Sequence, residues 1–132
     1  KDSVMVLVGE TPLPAEYGLL DVVGGGLLRT IPEDHRDRVL VAVDCAQETR
    51  LTDSRLLEAP LVVNIDHHHD NTRFGGVNLV ADGASSTAEV LADVFQELGL
   101  GLTPAIAEST PSSSVNGVSR PPPSGRGACA CA

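Results

Sequence analysis

Three apolar runs recur along the chain, and a breaker or a polar residue closes each one. Residues 4–8 (Val-Met-Val-Leu-Val) end at Gly9, residues 39–43 (Val-Leu-Val-Ala-Val) end at Asp44, and residues 61–65 (Leu-Val-Val-Asn-Ile) end at Asp66-His67-His68. Short Val-rich runs without internal charge predict buried strands of a parallel sheet. Between the second and third, residues 47–59 place Leu51, Leu56 and Leu57 at roughly helical spacing before Pro60. That segment fits the crossover helix that parallel neighbours require, usually over a dozen residues or so. Residues 77–80 predict a further short strand. Ser86 with Glu89 three positions later is a capping-box pattern. Val90, Leu91, Val94, Phe95 and Leu98 then form one apolar stripe that Gly99 stops. Thr103-Pro104 predicts the start of another helix, while Pro12, Pro14 and Gly24-Gly25-Gly26 mark irregular chain. The expected fold class is α/β: a partial parallel-sheet domain with flanking helices over residues 1–108.

Beyond Glu108 the pattern stops. Residues 109–132 contain no acidic residue, no aromatic, no Leu and no Ile, and Pro121-Pro122-Pro123 sits among Ser and Gly. Such a segment buries too little apolar surface to offset its ordering entropy. A disordered C-terminal tail is expected, either a natural one or non-native sequence from a frameshift or fusion. All 18 acidic residues precede Ser109, against seven of the nine basic ones, and the net charge of -9 argues against a grip on long duplex nucleic acid. No run approaches the ~18 apolar residues of a membrane span. Three cysteines, two of them in the tail, make no disulfide framework, so a cytoplasmic location is expected. The chain starts Lys1-Asp2-Ser3, without Met or a signal-peptide pattern, and reads as a fragment or a processed chain.

Chemistry concentrates where the strands stop. In open α/β sheets, sites form beyond the carboxyl ends of strands. Asp44 and Asp66 each close an apolar run, and His67, His68 and His69 follow the second. Read alone, Asp44 is a helix cap or turn carboxylate, and the histidine triplet a solvated loop. Read together, they deliver carboxylate and imidazole to one sheet edge, a donor set that suits manganese or magnesium better than structural zinc. In extended chain His67 and His69 point one way and Asp66 and His68 the other. At most two histidines then serve one centre.

Three stretches occur in order: Val39-Leu40-Val41-Ala42-Val43-Asp44; Asn64-Ile65-Asp66-His67-His68-His69-Asp70-Asn71-Thr72-Arg73-Phe74-Gly75; and Ala84-Ser85-Ser86-Thr87-Ala88-Glu89. Together they resemble the DHH phosphoesterase superfamily, within it the nanoRNase and pAp-phosphatase type. The resemblance implies two divalent cations per site, Mn2+ or Mg2+, and hydrolysis of short oligoribonucleotides or small 3′-phosphorylated adenosine nucleotides. Carried over by residue, it implies that Asp44 and His67 are metal ligands. It makes His68 the histidine facing the scissile phosphate, and Asp66 the carboxylate that orients the histidines. Arg73 matches a position suited to phosphate or to plain solvent exposure. Ser86 reads as a helix cap first. A homodimer is compatible with the resemblance, and a membrane partner is not implied.

The chain also departs from that family. An acidic His-x-Asn-x-Asp-x-Asp motif after the first strand, a Thr-Asp-Thr-Gly motif, and a second domain with a Gly-rich, His-containing loop have no counterpart in the sequence. The expectation is therefore the middle of a catalytic domain. The rival expectation is a non-catalytic fragment with weak metal binding.

Overall fold

The computed structural model describes residues 3–10 and 27–101. The run at 4–8 contributes only β1 (Met5–Val6), which pairs in parallel with β2 (Leu27–Leu28). β2 was not expected, because two leucines make no run long enough to read. The other strands follow the apolar runs: β3 (Val39–Val43), β4 (Leu61–Asp66) and β5 (Val77–Val80). They form one parallel sheet in the order β3-β4-β5. Val39 lies opposite Leu61, Val43 opposite Ile65, and Asp66 opposite Val80. The architecture is α/β with parallel sheets, as the runs predict.

The crossover from β3 to β4 corrects one expectation. Residues 47–59 form no α-helix but two 3₁₀ turns, Glu48–Arg50 and Ser54–Glu58. Leu51 leaves the first turn with φ −63° and ψ 133°, and Asp53 stays extended while its carboxylate accepts the Arg55 N–H. Arg55, through its guanidinium and then its N–H, holds Asp53 down at about 2. Aspartate that bonds its own neighbourhood competes with helix continuation. The leucine spacing therefore reported burial rather than helix: Leu51 and Leu56 are buried, while Leu57 faces outward.

Ala42, Cys45 and Leu51 form the core cluster, with Leu40 and Phe74 packed against it. Leu51 belongs to the β3–β4 connection and Phe74 to the β4–β5 connection. Both connections thus pack on the face that carries Leu40 and Ala42, as two crossovers of the same hand in one direction do. Val39, Val41, Leu61, Val77 and Leu79 alternate onto the other face and are 38–54% exposed. Among the described residues the strands are thus covered mainly on one side, which corrects the expectation of full burial.

One α-helix follows β5 in the described residues, α1 (Thr87–Glu97). Ser86 caps it, its Oγ accepting the Glu89 N–H at 3.3 Å. The Glu89 carboxylate reaches back to Ser85, accepting its N–H and its hydroxyl at 2.8 Å each. Those bonds hold the Glu89 carboxyl below its usual range, the Ser85 N–H first. At the other end Gly99 takes φ +67°, and the Leu100 N–H closes on the Phe95 carbonyl at 2.8 Å. Val90 is buried, but Leu98 is 66% exposed, so the apolar stripe ends a turn early. Replacing Ser86 by Ala should cost about 1 kcal/mol, readable as a lower urea midpoint with an unchanged slope. An unchanged midpoint would contradict the cap. The helix expected from Thr103 and the tail at 109–132 lie outside the described residues.

Candidate metal centre

Parallel register places the exits of β3 and β4 side by side. The Asp44 N–H donates to the Ile65 carbonyl at 2.9 Å, one step beyond the last paired residues. Asp44 then turns left-handed, with φ +59°. Aspartate tolerates this region better than most side chains, though less freely than Gly. The turn sends Cys45 and Ala46 inward, both fully buried, and leaves the Asp44 carboxylate partly exposed at the sheet edge.

Two asparagines lace this turn to β4. Asn64 is fully buried, and its Nδ2 donates to the carbonyls of Cys45 at 3.0 Å and Ala42 at 3.4 Å. Its Oδ1 accepts from Asn71 Nδ2 at 2.8 Å, and the same Asn71 amide lies within donating distance of Asp66 and the Cys45 carbonyl. A buried amide with its groups satisfied in this way fixes the local geometry instead of costing stability.

Asp66 is fully buried at the end of β4. Burial alone would raise its pKa. Donation from the His68 ring, the Asn71 amide and the His67 N–H outweighs burial and holds the carboxyl below its ordinary value. Asp66 Oδ1 accepts from His68 Nδ1 at 2.7 Å and from the His67 N–H at 2.8 Å. This pairing matches the alternation expected of extended chain, with Asp66 and His68 on one side.

His67 points elsewhere. Its Nδ1 sits 3.2 Å from the Ala84 carbonyl, which can only accept, so Nδ1 carries the proton. The ring's acceptor nitrogen, Nε2, then lies 3.6 Å from Asp44 Oδ1. Donors bound to one ion at about 2.0–2.2 Å stand roughly 3–4 Å apart, so this pair fits a shared cation. His68 lies in the same cluster, its Nδ1 3.9 Å from Asp44 Oδ1 and its ring 4.6 Å from that of His67. Asp44, His67 and His68 each offer a ligand atom within 4.8 Å of the others, and no other such group of three occurs among the described residues. The structure thus brings Asp44, His67, His68 and Asp66 to one sheet edge.

Arg73 is placed differently. It is exposed and left-handed at φ +54°, and its N–H donates to Asn71 Oδ1 at 2.6 Å. It forms no hydrogen bond or ion pair with Asp44, His67 or His68. His69 is exposed and outside the cluster. Thr87 stands in the third stretch, but the sequence assigns it no role of its own. Its buried hydroxyl donates to Asp44 Oδ1 at 2.7 Å across 43 positions of chain. The Ser85-Ser86-Thr87 triplet signals a helix start, but nothing in it announces a carboxylate partner.

No protein-family model matches the chain. Over 61 residues it is 33% identical to a Streptococcus mutans protein named "Probable bifunctional oligoribonuclease and PAP phosphatase NrnA", a match covering 46% of this chain and 20% of that protein. Over 71 residues it is 38% identical to the "Bifunctional oligoribonuclease and PAP phosphatase NrnA" of Thermus thermophilus, covering 52% of this chain and 20% of that protein. The matched stretch is thus about a fifth of the length of either relative.

Proposed function

We propose that this chain, related over about half its length to the nanoRNase type of DHH phosphoesterase, carries part of a centre for metal-dependent phosphoester hydrolysis. The substrates we infer are short oligoribonucleotides and small 3′-phosphorylated adenosine nucleotides, because the two relatives' names pair an oligoribonuclease with a PAP phosphatase. The observation that carries the reading is the approach of Asp44 Oδ1 to His67 Nε2 at 3.6 Å. Each partner is separately oriented by the protein, one by Thr87 and the other by the Ala84 carbonyl.

Asp44 and His67 would hold Mn2+ or Mg2+. When bound, a divalent cation offsets charge on the scissile phosphate and lowers the pKa of the attacking water. His68 presents its remaining ring nitrogen, Nε2, toward the phosphate, because Asp66 occupies Nδ1. Asp66 keeps that ring in one orientation and tautomer, the role of a carboxylate behind a histidine. Arg73 offers a guanidinium for a second phosphate oxygen. The described residues include no helix long and apolar enough to cross a membrane, and small nucleotides in the cytoplasm are the proposed substrates.

A second reading has its own support. A two-cation site needs more carboxylates than the described residues gather, since the cluster holds one carboxylate and two imidazoles. The 132-residue chain is therefore expected to take up Mn2+ in an Asp44-dependent way while turning over pAp or a dinucleotide slowly or not at all. Paramagnetic resonance of Mn2+ measures the first, and release of phosphate or mononucleotide the second. Failure to bind millimolar Mn2+ would sink the metal reading. Robust, Asp44-dependent turnover would overturn the single-cation reading.

A further inference from the structure

We infer that Thr87 is a positioning residue for Asp44: its hydroxyl selects the orientation in which the carboxylate faces His67. The inference rests on the reading of Asp44 and His67 as cation ligands and adds to it the part that fixes their geometry.

Thr87 is the first residue of α1, only 4% exposed, with its hydroxyl 2.7 Å from Asp44 Oδ1. Within a helix a threonine hydroxyl commonly bonds the carbonyl four residues back. At the first position no helical carbonyl stands there, so the hydroxyl is free to donate outward. Its place in space is set by the helix start. Ser86 caps α1, and Glu89 fastens Ser85 through two bonds from one carboxylate oxygen. The same short stretch supplies the Ala84 carbonyl that fixes the His67 tautomer. Both candidate ligands, 23 positions apart in sequence, are therefore oriented from one segment that contributes no cluster ligand itself.

The consequence is specific to the hydroxyl. Asp44 stands partly exposed, and the Thr87 hydroxyl is the donor that ties its Oδ1 to the start of α1. Partners of this kind behind a metal ligand typically change affinity 10–100-fold when removed. Thr87→Val keeps the shape and removes the donor, whereas Thr87→Ser keeps the donor and removes a methyl. Should the valine chain not fold by circular dichroism, Thr87→Ala, which favours helix, takes its place.

The full 132-residue chain and its variants are titrated with Mn2+ alone. Thr87→Val should weaken Mn2+ about tenfold, while Thr87→Ser stays within about twofold of the parent. Equal affinity of Thr87→Val and the parent would overturn the inference, as would equal impairment of both variants. A second measurement needs no metal. Thermal unfolding is followed for the parent, Thr87→Val, Asp44→Gly and the double variant, glycine being chosen because it adopts φ +59° freely. Thr87→Val should lower the Tm in the parent background and have no effect in the Asp44→Gly background. Additive losses would refute the pairing. If the parent takes up no Mn2+, the cation reading fails, and this cycle alone decides whether Thr87 holds Asp44.

Discussion

Asp44→Asn should abolish Mn2+ uptake while leaving the fold almost as stable as the parent. The backbone at residue 44 is left-handed, φ +59°. Asparagine is among the few side chains that enter this region readily. Its amide oxygen can still accept the Thr87 hydroxyl, and its backbone N–H can still meet the Ile65 carbonyl. The change therefore removes charge and one metal-binding oxygen while keeping these two bonds. Stability should stay within about 0.5 kcal/mol. Mn2+ affinity should fall by more than about 100-fold, beyond the effect of losing a mere supporting partner. Asp44→Ala provides the contrast, because a β-carbon without a local hydrogen bond costs roughly 1–2 kcal/mol in this conformation. Urea midpoints and Mn2+ titrations on the three chains separate the effects. An Asp44→Asn chain that binds Mn2+ as the parent does would remove Asp44 from the site.

The second large effect is expected far from the chemistry, at Gly75. A β-carbon built there would stand 2.7 Å from the Val77 carbonyl oxygen, 3.0 Å from that of Val62 and 3.1 Å from the Asn64 amide nitrogen. All three are backbone atoms of the sheet and cannot swing aside as a flexible side chain would. The peptide at Gly75 is further pinned by Asn78, which accepts from the Gly75 N–H at 3.0 Å and donates to its carbonyl at 2.6 Å. Gly75→Ala should therefore force β4 and β5 apart and cost about 3 kcal/mol. For a domain of this size that lowers the Tm by more than about 10 °C. Since β4 ends in Asp66 and leads into His67, Mn2+ affinity should fall with it. A Tm within about 2 °C of the parent would show that the sheet accommodates the methyl, contrary to the expectation.

The legible and illegible parts of this molecule divide along a physical line. Strands β3, β4 and β5 are uncharged, mainly apolar runs up to their last residue, so their boundaries could be read to within a residue, whereas the run at 4–8 gives only the two residues of β1. Parallel pairing then forces residues that follow equivalent strand positions to the same edge, which is why Asp44 and His67 could be expected to meet. Alternation along an extended chain correctly pairs Asp66 with His68, but the strand ends at Asp66, so His67 joins His68 in one cluster instead of sharing a side with His69. What could not be read depends on single angles and single hydroxyls. The left-handed turn at Asp44 has no sequence mark, since aspartate enters this region only occasionally and no glycine stands there to announce it. Thr87 looks like any residue in the first turn of a helix. The leucines at 51, 56 and 57 mimic helical spacing although only Leu51 and Leu56 are buried, and the local bonds of Asp53 start the second 3₁₀ turn instead of a helix. The exposed apolar face of β3, β4 and β5 among the described residues was hidden too, because uncharged Val- and Leu-rich runs read as strands buried on both sides.

The left-handed turn at Asp44 also bears on how this site changes over generations. An aspartate codon lies a single transition from asparagine and a single transition from glycine. Those are the two residues that the backbone at this position accepts with least strain. Both preserve the turn, and both discard the charge. Only asparagine also keeps an acceptor for the buried Thr87 hydroxyl, so purifying selection for foldability, which removes most damaging substitutions elsewhere in a small domain, is nearly blind to asparagine here. Only selection on the chemistry itself can keep the carboxylate in place. Where that selection lapses, Asp44 should be among the first residues to drift, and copies bearing Asn at this position should persist as well-folded descendants that have lost their carboxylate.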